Sequence, residues 1–154
     1  MRRIIIMMAV VVVMSAAVAC EKYDDGIPPK VVRAEFARMY PDAWDVEWEY
    51  EGTCWEVSFE TGKRPNGIDH TALYGTDGTW ISTSTDILLS AVPEDIRNYL
   101  ATSEFGSARI IDNDAEYIET PSGNFYRFDM SAGGERIEVD VNENGDVSLA
   151  VYGF

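Results

Sequence analysis

Apolar and polar positions alternate with two periods along this chain, and the changes of period mark its elements. Pro29 opens a helical pattern at the position where a missing N–H costs least. Val32, Phe36, Met39 and Tyr40 follow at i, i+4, i+7 and i+8, which places them on one face of a helix. Pro41 stops that helix. The period then drops to two. Val46, Trp48 and Tyr50 alternate with Glu47 and Glu49, and Trp55, Val57 and Phe59 alternate with Glu56 and Ser58. Both stretches predict strands with one apolar face, joined by a turn at Gly52. A loop holding Gly62, Pro65 and Gly67 leads to a third stretch, Thr71 to Tyr74, then a turn at Asp77-Gly78 and Trp80.

From Pro93 the order repeats. Ile96, Tyr99 and Leu100 give a second helical stripe, which Gly106 helps to end. Ile110 and Ile111 start a strand of unfixed phase, because Ala115, Tyr117 and Ile118 do not keep one alternation. Gly123 marks a hairpin, after which Tyr126, Phe128 and Met130 mirror Trp55, Val57 and Phe59. Ile137, Val139 and Val141 alternate cleanly, and Asn144-Gly145 repeats the turn at Asp77-Gly78. Each half therefore reads helix, strand, strand, strand, with repeat one at about 28–86 and repeat two at about 87–154. The expected fold is α+β, a tandem repeat of a helix followed by three antiparallel strands. The helices pack on one sheet face and the other face is open to solvent.

The first residues change this picture. Arg2 and Arg3 precede an apolar run from Ile4 to Ala19 that ends in small residues. This is the layout of a secretory signal, and the run falls short of the ~20 residues of a membrane-spanning helix. Ala17-Val18-Ala19 directly before Cys20 resembles the lipobox of bacterial lipoproteins, with Ala17 where a large aliphatic residue is usual. The resemblance implies a lipid on Cys20; an ordinary signal peptide cut at the same place would leave Cys20 free. The expected organisation is a signal peptide over 1–19, a polar tether over 20–27 and one domain over 28–154. The location implied is the bacterial envelope, on the periplasmic side or at the cell surface, with membrane contact only through the lipid.

Charge narrows the partners. The formal net charge is −15, and loss of Arg2 and Arg3 takes it to −17. Such a surface repels nucleic-acid phosphates, which excludes nucleic-acid binding, and suits solubility or an unidentified basic protein partner. With Cys20 acylated, Cys54 has no second cysteine to pair with, so no disulfide framework is expected.

Several motifs together resemble the PepSY-like family of β-lactamase-inhibitor-like exported lipoproteins. They are the Tyr40-Pro41 helix end, Val46-x-Trp48-Glu49, Trp55-Glu56-Val57-Ser58-Phe59, the Asp77-Gly78-Thr79-Trp80 turn, Val92-Pro93 and Phe125-Tyr126. The resemblance spans about Ile27 to the C-terminus. Tyr74-Gly75 departs from the Phe-Asp usual before that turn. The resemblance implies a fold like that of β-lactamase inhibitor proteins and an exported location, and an inhibitor role only by analogy of fold.

Candidate chemistry is sparse. His70 is the single histidine, and nothing marks it or Cys54 as an activated pair, so no catalytic residue is assigned and no enzyme is expected. One His and one free Cys fall short of a zinc site. Asp140-Val-Asn142-Glu-Asn144-Gly145 matches the start of a calcium loop, but Val151 stands where the bidentate Glu belongs, so a hairpin is expected there. No metal and no cofactor are assigned. Trp48, Trp55, Trp80, Tyr50, Phe59 and Tyr74 fall on one side of their strands and predict a core. The opposite side presents Glu47, Glu49, Glu56 and Glu60 in the first half and Arg127, Glu138 and Asp140 in the second. This is a candidate binding face for a basic protein. The expected role is a non-catalytic protein-binding or inhibitor-like module. The alternative is an envelope sensor for a small ligand or cation.

Overall fold

A computed structural model describes residues 22, 23 and 26–150. The signal-peptide and lipid-anchor expectations fall on residues outside that set, as does Val151. Ten strands and two α-helices follow in the order β1 (Lys22–Tyr23), α1 (Lys30–Met39), β2 (Trp44–Tyr50), β3 (Cys54–Thr61), β4 (Ile68–Gly75), β5 (Trp80–Leu88), α2 (Glu94–Thr102), β6 (Arg109–Ile110), β7 (Asp114–Thr120), β8 (Gly123–Ala132), β9 (Glu135–Asn142) and β10 (Val147–Leu149). A single 3-10 turn, Leu89–Ala91, precedes α2. The two prolines that open the helical patterns cap them from outside. Pro29 and Pro93 are extended at ψ 147° and 145°, and their carbonyls accept the first helical bonds, from the Arg33 and Arg97 N–H groups.

The strands form one sheet in the order β1-β2-β3-β4-β5-β7-β8-β9-β10, with β6 paired to β8 off this path. β1 runs parallel to β2, and the other pairs are antiparallel. The expected tandem repeat of a helix plus three strands, with helices packed on one sheet face, is therefore corrected. The chain builds a continuous ten-stranded mixed sheet with two short helices. Two physical causes stand behind the difference. First, β5 is a nine-residue strand written Trp-Ile-Ser-Thr-Ser-Thr-Asp-Ile-Leu. Its hydroxyl side chains carry no apolar alternation, yet its register runs through both neighbours, Ala72↔Thr83 on β4 and Thr83↔Glu119 on β7. It is a fourth strand for the first half and the seam to the second. Second, helices of ten and nine residues are only about 15 Å long. The sheet is eight strand spacings wide, or roughly 38 Å at ~4.8 Å each.

The unfixed phase after Ile110 also has a structural cause. The regular strand is interrupted at residues 111–113, so β6 and β7 are separate strands, and both pair with β8.

Apolar side chains gather in two clusters. Val32 and Phe36 of α1 join Val46, Trp48, Trp55, Val57, Phe59, Ala72 and Tyr74. Ile96 and Leu100 of α2 join Val92, Ala115, Phe128, Met130, Val139 and Val141. Phe36 is the centre of the first cluster. Its ring meets Trp48, Phe59 and Tyr74 edge-on at centroid distances of 5.3, 5.0 and 6.4 Å, the arrangement that aromatic quadrupoles favour. Tyr50 departs from the expected core and remains exposed near the sheet edge, its ring tilted against that of Trp55 at a centroid distance of 4.9 Å. The β4–β5 turn lies against α1. Gly78 has φ +89°, and a Cβ there would sit 2.8 Å from Val31 Cγ2.

Candidate interaction face

Cross-strand partners share a sheet face, so the registers sort every strand residue. Trp48↔Val57, Val57↔Ala72, Ala72↔Thr83 and Phe128↔Val139 define the apolar side. The other side carries Glu47↔Ser58, Glu49↔Glu56, Glu60↔Asp69, Asp86↔Glu116, Glu116↔Arg127, Arg127↔Asp140 and Asp129↔Glu138. All seven candidate residues, Glu47, Glu49, Glu56, Glu60, Arg127, Glu138 and Asp140, lie on that outer side. Their environments differ.

Arg127, Glu138 and Asp140 form a closed network. The Arg127 guanidinium donates to both Asp140 carboxylate oxygens at 2.8 and 3.0 Å, with Glu138 at 3.7 Å. A bidentate pair of this kind is satisfied within the protein. Asp129 is likewise engaged by Arg136, whose Nε donates at 3.1 Å. Glu47 is paired with Lys22 of β1. Glu60 is shielded: Gly67 approaches so closely that a Cβ there would fall 2.2 Å from a Glu60 carboxylate oxygen and 2.7 Å from the Trp44 ring. Arg64 from the same loop stacks over Trp44 at 4.7 Å.

Glu49 and Glu56 are different. They stand directly opposite each other on β2 and β3, and no Lys or Arg among the described residues pairs with either. Like charges in that register repel. Burial, and then the charges of Glu51 and Glu49, push the Glu56 carboxyl up from its ordinary range.

The seam between the halves holds an open recess of about 510 Å³, lined by Asp86, Asp114, Glu116, Asp129, Glu138 and Arg127 among others. Burial leads the upward shift of Glu116, opposed by the Arg127 charge and a hydrogen bond with Ser84. Burial, Asp69 and Asp114 raise Asp86. Sequence reasoning missed Glu116 and Asp86 because their strands, β5 and β7, lack apolar alternation. Side assignment there needs the β5–β7 register.

His70 lies in β4 and Cys54 opens β3. His70 Nε2 and Nδ1 hydrogen-bond Thr61 Oγ1 at 2.7 Å and Thr85 Oγ1 at 2.9 Å, and the ring stacks on Phe59. Burial holds its pKa below the ordinary value. Cys54 is buried, and burial, with Glu51 and Glu56, raises its thiol; a thiol in this setting is a poor nucleophile. Asp140 to Gly145 is a hairpin. The Asn142 side-chain carbonyl accepts from the Asn144 and Asp146 N–H groups at 3.0 and 2.9 Å, and β10 pairs back onto β9.

No protein family model matches the chain, and no curated protein does. Solved structures match it in fold. A BLIP-like protein from Bacteroides fragilis superposes with a TM-score of 0.68 at 15% identity, covering 84% of this chain and 91% of its own. A DUF2874 family protein from Bacteroides uniformis gives 0.67 at 18% identity, covering 83% and 94%. A Bacteroides eggerthii protein provisionally described as periplasmic gives 0.66 at 21% identity, covering 79% and 86%. This chain has the BLIP-like fold that these structures share.

Proposed function

We propose that this chain is an exported, lipid-anchored, PepSY-like module that binds a basic protein through the outer face of its sheet and carries out no catalysis. The observation that carries this reading is the uncompensated Glu49↔Glu56 pair. A like-charge cross-strand pair with a raised carboxyl is a standing cost in the free protein. A cation brought by a partner would relieve it. The acylated Cys20 and the envelope location come from the lipobox resemblance, and a provisionally periplasmic protein of the same fold is consistent with export. The BLIP-like neighbour supplies an analogy for an inhibitor role, in which the basic partner is itself an exported enzyme.

The test is a pull-down from an envelope extract with residues 21–154, run beside Glu49→Lys/Glu56→Lys. The expected result is one partner, lost in the charge-reversed chain and weakened by salt. Capture that charge reversal and salt leave unchanged would overturn the role of this face.

A second reading, a sensor of a small cationic ligand, draws on the acidic recess at the β5–β7 seam. It requires the melting temperature to rise with a di- or polyamine and that rise to vanish in Glu116→Gln.

A further inference from the structure

Two residues of the stretch that joins the proposed lipid site to the domain are paired into the sheet. β1, Lys22–Tyr23, pairs in parallel with β2 in the register Lys22↔Glu47 and Tyr23↔Trp48. Tyr23 packs against the first core cluster. Lys22 pairs with Glu47, with Asp45 at 4.0 Å. Five residues on, Pro28 is fully buried, and its carbonyl accepts from Arg33 Nε at 3.2 Å. The chain is therefore gripped twice before α1 begins. Only Glu21 separates Cys20 from β1. A chain spans at most ~3.6 Å per residue, so two residues of chain reach no further than roughly 7 Å.

We infer that the acyl chain holds the sheet edge-on at the bilayer, with the β1–β2 edge against the headgroups and β10 pointing away. This rests on the lipid-anchor reading above. β10 lies seven strand spacings from β2, roughly 34 Å along the sheet at ~4.8 Å per spacing. The partner surface that follows is a lipid headgroup layer, met by one defined edge of the molecule. The outer face, with Glu49 and Glu56, then stands upright from the membrane and is open to a protein in the surrounding space. A free eight-residue tether over 20–27 would instead let every side of this acidic domain sample the surface.

The experiment uses the full acylated chain in phosphatidylcholine vesicles that carry a quencher on the lipid headgroup. A fluorophore is attached through Asp42→Cys, in the exposed turn before β2, or through Ser148→Cys, in β10. Both are made in a Cys54→Ser background. Quenching about threefold or more stronger at position 42 than at 148 is expected from the spacing of the two edges. Twelve Gly/Ser residues inserted between Glu21 and Lys22 add a coil of roughly 19 Å r.m.s. length and should abolish the difference without disturbing β1. Equal quenching at the two positions in the acylated chain, before any insertion, overturns the inference and leaves the lipid anchor standing. A chain that shows no acyl group on Cys20 by mass spectrometry overturns the anchor reading, and the edge-on arrangement falls with it.

Discussion

At the scale of single residues, stability concentrates in a few side chains. Phe36 is the clearest. It is one of two buried side chains on α1, and it touches aromatic rings from three strands and from Tyr40. Phe36→Ala removes those contacts and leaves a cavity that rigid neighbouring rings cannot fill. The expected loss is about 3–5 kcal/mol, measured by urea denaturation, with a much smaller loss for Phe36→Leu. The stripe that names Phe36 as core is plain in the sequence, since Val32 and Phe36 are one helical turn apart. The ring geometry that makes Phe36 the centre is not, because its partners come from β2, β3 and β4.

At the scale of elements, β5 is held differently from its neighbours. Thr83, 1% exposed, is the one buried polar side chain among the described residues. Its hydroxyl lies 2.6 Å from Tyr40 Oη and accepts from Trp80 Nε1 at 2.9 Å. This triad ties the end of α1 to the strand at the seam of the sheet. Thr83→Val keeps the shape and removes the hydroxyl, leaving a half-buried phenol and a half-buried indole N–H to find new partners. The expected cost is about 1–3 kcal/mol, with a fall in melting temperature followed by circular dichroism. Restoring a hydroxyl with Thr83→Ser should recover part of it. The same chemistry explains why β5 escaped the apolar pattern: a strand can be buried through hydroxyl pairs, and a period-two search for Val, Ile and aromatic residues passes over it. β7 escaped for a related reason, since Glu116, Tyr117 and Glu119 sit half-buried on both faces.

At the scale of the whole molecule, charge sets the response to pH. Folding raises the carboxyls of Glu56, Glu116 and Asp86 above their ordinary range, with burial the first cause in each. The folded chain therefore keeps protons at these sites at pH values where the unfolded chain has lost them. Stability falls as pH rises from the ordinary carboxylate range through the raised values, and acidification from neutral to mildly acidic pH restores it. Glu35 and Asp77 work the other way. Hydrogen bonds from Arg38 and Thr79 hold their carboxyls below the ordinary range, so their contribution is lost only at lower pH. The expected melting profile rises by a few degrees from pH 7 toward pH 5 and then falls. Glu56→Gln should raise the melting temperature at pH 7 and shrink the gain on acidification. Burial lowers the His70 pKa, which opposes this gain as the pH falls through the ordinary histidine range, so the variant decides: the same response to acid in Glu56→Gln and the parent chain would show that the Glu56 carboxyl is not under strain.

The sequence by itself determined the elements whose chemistry is local. These are two proline-opened helices with their buried stripes, the alternating strands β2, β3 and β9, the turns at Gly52, Asp77-Gly78, Gly123 and Asn144-Gly145, and a strongly acidic surface. It also placed Glu49 and Glu56 on the side away from the core, because a period of two leaves no other choice once Trp48 and Val57 face inward. Tertiary structure decided what depends on pairing between distant strands. It made one sheet of ten strands by setting Thr83 between Ala72 and Glu119, it closed Arg127 onto Asp140, and it laid the Gly67 loop over Glu60. It left Glu49 opposite Glu56 with no Lys or Arg among the described residues paired to either. Alternation states which side a residue takes, but its neighbour on that side is fixed by register, and register is a property of two segments rather than one.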